Sequence, residues 1–358
     1  MGRTGGRILR QDTGSALLAL LAAGCAATTP SPPTPEEHLV VLNAGDPSLT
    51  ILPLSSPTSP VTIHLGPIGG TPAGLAARGS RGLVTTGAGN TVALVDLGAP
   101  QSVLVFGLAA GGGAAGAAFV NDTIAYIANP LNNRVTRLNL QSGDTTSLAV
   151  GQTPTAIAVT RGRVFVANAN LGAACAGPAP CVLGASWLSV IDPDREVVVD
   201  SIALPGPGNA ASITVGGDGL LYVISAGPGG EESGRLSIVD PVVREEVGSF
   251  SGFGPLPGQV ASDGRERLFV TSVGEGLMEF NTRTRRLVRG AGAGIPLQSG
   301  VDAAVGNDGL VYAVESGSCA PGINGRIRIF RPDLTEARII PAGVCPVDAT
   351  IVRLLPAP

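Results

Sequence analysis

Lysine is absent from this chain of 358 residues, so all of its 23 strongly basic side chains are arginines. That absence excludes a Schiff-base lysine, a lysine general base and the lysine of a phosphate-binding loop. Histidine occurs only at His38 and His64, which excludes a three-histidine zinc site. With a net charge of −4 and only 3% aromatic residues, the chain has little to neutralise phosphates or stack on bases, so we expect no nucleic-acid partner.

Glycine and proline are abundant instead, at 52 and 29 residues. Both residue types disfavour helix interiors, so the composition favours an all-β fold with short strands and many turns. Hydrophobic residues make up 44% of the chain, which is enough for a large core, and only 14% of residues are charged.

Residues 1–24 have the pattern of an export signal. Arg3, Arg7 and Arg10 form a basic start, and an apolar run, ALLALLAA, follows at positions 16–23. The uncharged stretch from Thr13 to Gly24 is well short of the roughly 20 residues that a membrane-spanning helix needs. We therefore predict that the segment is removed rather than retained.

The last residues of this segment and the cysteine after it, Ala22-Ala23-Gly24-Cys25, resemble the lipobox of bacterial lipoproteins. The resemblance implies cleavage before Cys25 and diacylation of that cysteine. Residues 25–37, which include four prolines, are then expected to form an extended tether. The expected location is the cell envelope, with the lipid anchored in the outer membrane, at its periplasmic face or at the cell surface.

Seven short apolar runs that end in a small or polar residue recur along the rest of the chain. Their spacing is about 45 residues, which is the period of a four-stranded propeller blade. The runs are VVLN ending at Asn43, LVTT at Thr86, YIAN at Asn129, FVAN at Asn168, YVIS at Ser225, FVTS at Ser272 and YAVE at Glu315.

The runs YIAN, FVAN, YVIS and FVTS resemble those of the YVTN-repeat, YncE-like branch of seven-bladed β-propellers. The resemblance covers roughly residues 38 to 355 and implies one domain, 38–358, of seven four-stranded blades. Blade 1 begins at His38 without an inner strand of its own. The strand from Asp348 to Arg353 is therefore predicted to complete blade 1 and close the ring. Function varies among such propellers, so the fold alone does not assign one.

Tight-turn residues precede several of the apolar runs. Asp218-Gly219, Asp308-Gly309 and Arg161-Gly162 are predicted to form two-residue hairpin turns, because glycine accepts the positive φ that such turns need. The strands before these turns are rich in alanine and glycine, as expected of the innermost strand of a blade, where seven strands converge.

Four cysteines follow Cys25, and an even number in an exported protein predicts disulfides with three possible pairings. If the strands of a blade are named a to d, the b–c loops and the d–a connections emerge on one face of the ring. Cys175 and Cys181 fall in one long b–c insertion, at 170–182. Cys319 falls in the b–c loop of blade 7 and Cys345 in the connection to the closing strand. This register predicts the pairs Cys175–Cys181 and Cys319–Cys345.

Carboxylates are the remaining candidates for chemistry, because the chain has no G-x-S-x-G segment and no catalytic residue can be assigned. Asp302 (GVDAAV) and Asp348 (PVDATI) occupy one column of the inner strands, in blades adjacent across the ring closure. Glu315 ends a b strand on the same face, as Asn43, Asn129 and Asn168 do in other blades. These side chains are therefore candidate ligands at the channel mouth.

Two interpretations of these residues remain open. A ring of oxygen ligands can hold calcium, and propeller lactonases and arylesterases resemble this arrangement, which would make the protein a metal-dependent hydrolase. This interpretation requires Asp302, Asp348 and Glu315 to converge on one ion. Carboxylates directed at backbone amides would exclude the interpretation.

In the second interpretation the aspartates accept backbone hydrogen bonds and the asparagines cap loops. The protein is then a binding or scaffolding module whose b–c loops recognise an envelope protein or a small molecule. We favour this interpretation because so few residues could be catalytic. Whether the chain is an enzyme or holds calcium stays open at this stage, and we expect a monomer.

Overall fold

The computed structural model describes residue 2 and residues 34–99, 102–172, 181–231 and 233–355. Seven antiparallel sheets of four strands each form a ring, which confirms the predicted seven-bladed β-propeller. No helix in these described ranges is long and apolar enough to cross a membrane.

Within each blade, strand a lies innermost and pairs with strand b. The a strands of blades 1 to 7 are β28 (Pro346–Leu354), β4 (Gly74–Arg78), β8 (Ala117–Phe119), β12 (Pro154–Thr160), β16 (Ala210–Val215), β20 (Pro257–Ser262) and β24 (Gly300–Val305). The b strands are β1 (Glu36–Asn43), β5 (Arg81–Thr85), β9 (Ile124–Asn129), β13 (Arg163–Asn168), β17 (Leu221–Ser225), β21 (Arg267–Ser272) and β25 (Val311–Glu315).

Strands c and d complete each blade toward the outside. The c strands are β2 (Ser48–Pro53), β6 (Thr91–Asp96), β10 (Arg134–Asn139), β14 (Ser186–Asp192), β18 (Arg235–Asp240), β22 (Gly276–Asn281) and β26 (Asn324–Phe330). The d strands are β3 (Val61–His64), β7 (Val103–Gly107), β11 (Thr145–Ala149), β15 (Val197–Leu204), β19 (Glu245–Ser251), β23 (Arg286–Arg289) and β27 (Glu336–Val344).

The C-terminal strand closes the ring as predicted. β28 pairs antiparallel with β1, so that Leu42 lies opposite Asp348 and His38 opposite Val352. Blade 1 therefore combines the last strand of the chain with its first three, which leaves no open sheet edge between blades 7 and 1. β1 begins at Glu36, inside the range 25–37 that the sequence suggested for the tether.

The hairpin turns follow the prediction in one case out of three. Arg161 and Gly162 form a two-residue turn between β12 and β13, both with positive φ. The turns around Asp218-Gly219 and Asp308-Gly309 are wider, because five residues separate the strands on either side of each. In the first of them the Asp218 carboxylate accepts a hydrogen bond from the Leu220 N–H, which organises the longer turn.

The core consists of seven apolar clusters, one between each pair of neighbouring blades. Each contains a fully buried b-strand residue that lies three positions before the last residue of its apolar run and faces the next blade. From blade 1 to blade 7 these residues are Val40, Leu83, Tyr126, Phe165, Tyr222, Phe269 and Tyr312. Five of the seven junctions are thus filled by an aromatic ring, and the junctions after blades 1 and 2 by an aliphatic side chain.

Candidate functional site: the central channel and the b–c face

The seven a strands surround a central channel. Each is hydrogen-bonded to its b strand along one edge only, so the other edge turns N–H and C=O groups toward the channel. Small residues in these strands let neighbouring blades approach closely. At Gly116, for example, a Cβ atom would collide with the carbonyl oxygen of Thr155 in the next blade.

One position of the a strands is polar in four successive blades, from blade 5 round to blade 1. Its residues there are Ser212, Gln259, Asp302 and Asp348. In the other three blades the corresponding residues are Gly74, Gly116 and Ala156. Two adjoining cavities of about 340 and 230 Å³ occupy the channel beside these side chains. The polar side chains therefore line one side of the channel only.

Asp302 is a buried carboxyl group at this position of blade 7, with 6% of the residue exposed. Its Oδ1 accepts the N–H of Ala303 at 2.7 Å. Its Oδ2 accepts the N–H of Ala349, in the neighbouring a strand β28, at 2.8 Å. Both oxygens are thus directed at backbone amides, and one of them ties blade 7 to blade 1.

Asp348 repeats this contact one blade further on. Its Oδ2 accepts the N–H of Leu75, in β4 of blade 2, at 2.7 Å. A hydrogen bond also joins the carboxyl groups of Asp302 and Asp348. The two aspartates therefore form a continuous polar link across blades 7, 1 and 2, which is where the two ends of the chain meet.

The environment of this pair favours its protonated form. Burial raises the pKa of Asp348 to about 6, although hydrogen bonds from the backbone and from Asp302 act against the rise. Burial, and then the neighbouring Asp348 carboxylate, hold the pKa of Asp302 well above its ordinary value. Like charges in close contact disfavour ionisation of both carboxyl groups, so the pair titrates as a coupled unit.

Glu315 contacts other residues than the two aspartates. Its carboxylate is buried at the end of β25 and accepts the N–H of Gln298 at 2.7 Å. Arg326 lies 2.6 Å and Arg328 3.4 Å from its oxygens, so two guanidinium groups neutralise its charge. Glu315 therefore does not join Asp302 and Asp348 around a common ion.

The three candidate asparagines donate hydrogen bonds within their own blades, and the Asn43 Oδ1 also accepts the N–H of Gly343 in blade 7 at 3.1 Å. The side-chain amide of each donates to a hydroxyl group on strand c: Asn43 to Thr50 at 3.0 Å, Asn129 to Thr136 at 2.7 Å and Asn168 to Ser189 at 3.0 Å. This repeated contact fastens the end of strand b to strand c. It accounts for the asparagine in three of the seven runs without a ligand.

A metal centre is not assembled among the described residues, which contain no group of three or more His, Cys, Asp or Glu side chains that could hold an ion. His64 ends the outer strand β3 and is exposed. His38 lies at the other end of the ring from the predicted ligands, near the start of β1.

The Cys319–Cys345 disulfide is present as predicted. It joins the b–c loop of blade 7 to the residue between β27 and β28, and so fastens the closing strand to the last blade. The other predicted pair involves Cys175, which lies outside the described residues.

Charge is distributed unevenly between the two ends of the ring. We call the end that carries the b–c loops and d–a connections the b–c face, and the opposite end the a–b face. Among the described residues, the connections on the b–c face contain no arginine, and their charged residues are Asp46, Glu231 and Glu275. The shorter turns of the a–b face contain seven arginines, at Arg161, Arg195, Arg244, Arg265, Arg283, Arg285 and Arg331.

The b–c face also exposes apolar side chains. Five of them lie in its loops, contributed by blades 3, 4, 6 and 7 and by the connection from blade 5 to blade 6: Leu131, Leu183, Leu256, Val273 and Ile323. Depletion of charge combined with exposed aliphatic groups is the composition of the centre of a protein interface. The charge asymmetry follows from the sequence once the strand ends are known, whereas the exposure of these side chains requires the structure.

No protein-family model matches the sequence, and no curated protein matches it. Solved structures do resemble the fold. A functionally unknown protein from Desulfotomaculum acetoxidans is 16% identical with a TM-score of 0.64, and the match covers 89% of this chain and 99% of that one. Hydrazine synthase from Kuenenia stuttgartiensis is also 16% identical, with a TM-score of 0.59 over 79% of this chain and 89% of that one.

Two further solved structures with a similar fold have other names. The apo form of AztD from Citrobacter koseri is 12% identical with a TM-score of 0.55, and the match covers 89% of this chain and 98% of that one. A streptogramin B lyase is 14% identical with a TM-score of 0.58, over 82% and 94% of the two chains. At such identities the likeness establishes the propeller class and leaves function to the site.

Proposed function

We propose that this chain is an exported, lipid-anchored β-propeller of the YVTN-repeat, YncE-like type that binds a partner protein in the cell envelope through its b–c face. The observation that carries the proposal is the composition of that face: its connections contain no arginine and expose five aliphatic side chains. Such a surface loses little on desolvation and gains apolar burial when a partner covers it.

Export and anchoring are supported by the N-terminal segment and by the disulfide. Cys319–Cys345 is the kind of bond that persists in oxidising compartments. Cys25 is the proposed lipidation site and the membrane is the proposed anchor. Radiolabelled palmitate should enter the wild-type protein and not a Cys25→Ala variant, which should also leave the membrane fraction. Equal labelling of both proteins would refute lipidation at Cys25.

The binding face can be tested with a photo-crosslinking amino acid placed on either end of the ring. Val273, in the b–c loop of blade 6, and Val242, in a turn of the a–b face, are both 67% exposed and differ only in their location. In the native host, crosslinks to a discrete protein are expected from position 273 and not from position 242. Equal yields at the two positions, or no adduct from position 273, would contradict the proposal.

A calcium-dependent hydrolase of lactones or esters is the weaker candidate. It needs Asp302, Asp348 and Glu315 on one ion, but the first two carboxylates accept backbone N–H groups and the third lies between two arginines. Thermal unfolding with calcium and then with a chelator tests it, beside an Asp302→Ala, Asp348→Ala double variant. A calcium-induced rise of a few degrees in the melting temperature of the wild type, absent from the double variant, would support the hydrolase.

A further inference from the structure

A cavity of about 380 Å³ opens between blades 1 and 2 at the a–b face, away from both the channel and the b–c face. Its walls are mostly apolar and include Ile51, Val61, Ile63, Leu97 and Leu354, while His38 and the exposed Glu36 contribute polar groups. A volume of this size lies in the range of small-molecule sites.

Two residues that line the cavity, His38 and Ile51, are neighbours of a b-strand position that lacks an aromatic side chain. Five blades place a tyrosine or phenylalanine at the b-strand position that faces the next blade, and blade 1 has Val40 there. Val40 pairs with Ile51, which lines the cavity, and it lies two residues after His38 on the same face of β1.

In blade 5 the aromatic ring at this position extends toward the a–b face. The Tyr222 hydroxyl reaches the turn between strands a and b of its own blade, where it donates to Asp218 at 2.6 Å. The matching direction in blade 1 leads from Val40 past His38 toward the a–b face. Val40 is itself fully buried and does not line the cavity, but blade 1 lacks a ring that would extend from this position in that direction.

A hydrogen-bonding group is already in place at this site. The His38 Nδ1 lies 3.0 Å from the carbonyl oxygen of Glu36, a contact that fits a protonated Nδ1 donating to that oxygen. Its Nε2 is then an acceptor with no protein partner among the described residues. A ligand hydroxyl group that reached this nitrogen would have its hydrogen bond satisfied within the apolar pocket.

We propose that the pocket between blades 1 and 2 binds a small phenol, whose ring takes the place of the missing aromatic side chain and whose hydroxyl group donates to Nε2 of His38. Apolar walls with one oriented polar group are the usual make-up of a small-molecule site. This inference is independent of the partner bound at the b–c face, because the two sites lie at opposite ends of the ring.

The probe is p-cresol, which has the shape of a tyrosine side chain, with toluene as its analogue without the hydroxyl. Isothermal titration and ligand-observed NMR on the full mature protein should detect saturable one-to-one binding of p-cresol, at least fivefold tighter than that of toluene. His38→Phe should abolish that preference. Equal affinity for the two compounds in the wild type would refute the role of His38, and no saturable binding of p-cresol would refute the site.

Filling the pocket provides the second test. Val40→Phe restores the side chain that the other blades carry, and Val61→Trp blocks the rim from an exposed position that tolerates a large residue. Both should remove p-cresol binding, while Val288→Trp, an equally exposed outer-strand position on blade 6, should leave it unchanged. If Val40→Phe does not fold, the binding of p-cresol to Val61→Trp is the deciding measurement. Unaltered binding in a folded blocking variant would overturn the proposal.

Discussion

Asp302 and Asp348 occupy the same position on neighbouring inner strands, and each accepts the backbone N–H of the strand that follows it around the ring. A hydrogen bond also joins their two carboxyl groups. Because these contacts lie where the C-terminal strand joins blades 7 and 2, the protonation of the pair is coupled to closure of the ring.

Stability should depend on the protonation of this pair. The pKa of Asp348 is raised to about 6 by burial, so the unfolded state loses its proton at lower pH than the folded state does. The stabilisation is complete below the unfolded value near 4 and disappears as pH rises through about 6. For Asp348 alone we expect the free energy of unfolding, measured by urea titration, to fall by about 2 kcal/mol between pH 4.5 and pH 7.5, and the raised pKa of Asp302 acts in the same direction.

Replacing one carboxyl by an amide should weaken this dependence. In Asp348→Asn the amide oxygen still accepts the Leu75 N–H, and the amide nitrogen donates to Asp302 without a shared proton. We expect a flatter profile across the same pH range and a higher stability than the wild type at pH 8. A profile parallel to that of the wild type would show that other groups control the pH dependence.

The Cys319–Cys345 disulfide should stabilise the closed ring. It joins residues 26 apart, and the loop-entropy relation then assigns it about 3.5 kcal/mol. We expect the double variant Cys319→Ser, Cys345→Ser to unfold at correspondingly lower urea concentration. Reducing agent should lower the stability of the wild type similarly and leave that of the variant unaffected, and a variant as stable as the wild type would contradict this estimate.

The Glu315 carboxylate should matter more than an exposed one. It is 1% exposed and faces two guanidinium groups, so Glu315→Gln leaves positive charge without its partner and should cost about 2 kcal/mol. Glu266→Gln is the matched control, because Glu266 pairs with Arg283 where both side chains are well exposed, and should have almost no effect. Equal losses in the two variants, measured by thermal unfolding, would count against this view.

Close approach of the inner strands predicts a cost for an added methyl group. At Gly116 a Cβ would meet the backbone of blade 4, so Gly116→Ala should destabilise the protein by about 1–3 kcal/mol. Gly107, at the end of an outer strand, faces open space, and Gly107→Ala should be close to neutral. Equal melting temperatures of both variants and the wild type would contradict this prediction.

Much of the fold follows from the chain's own periodicity. The recurrence of runs such as YIAN to Asn129 and FVAN to Asn168 predicts seven blades, and the unpaired strand at Asp348 predicts the closure of the ring. The register also places Cys319 and Cys345 together, because a repeat assigns each loop to one face. The turn at Asp218 was harder to predict, since its length depends on a side-chain hydrogen bond rather than on the glycine alone.

The candidate site could be predicted from the sequence only in part. The column that contains Asp302 and Asp348 is visible in the alignment of the repeats, and so is the valine that stands at position 40 where five other blades have an aromatic residue. The sequence by itself thus determined the number of blades, the closure and the position of each residue within its repeat, because period and strand alternation are local properties of the chain. Only the tertiary structure decided that the aspartates bind backbone amides, that Glu315 lies between two arginines and that a cavity opens beside His38 and Ile51. Those outcomes depend on distances between blades that are remote in sequence, and a difference of a few ångströms there determines whether a polar group meets an amide, a cation or open space.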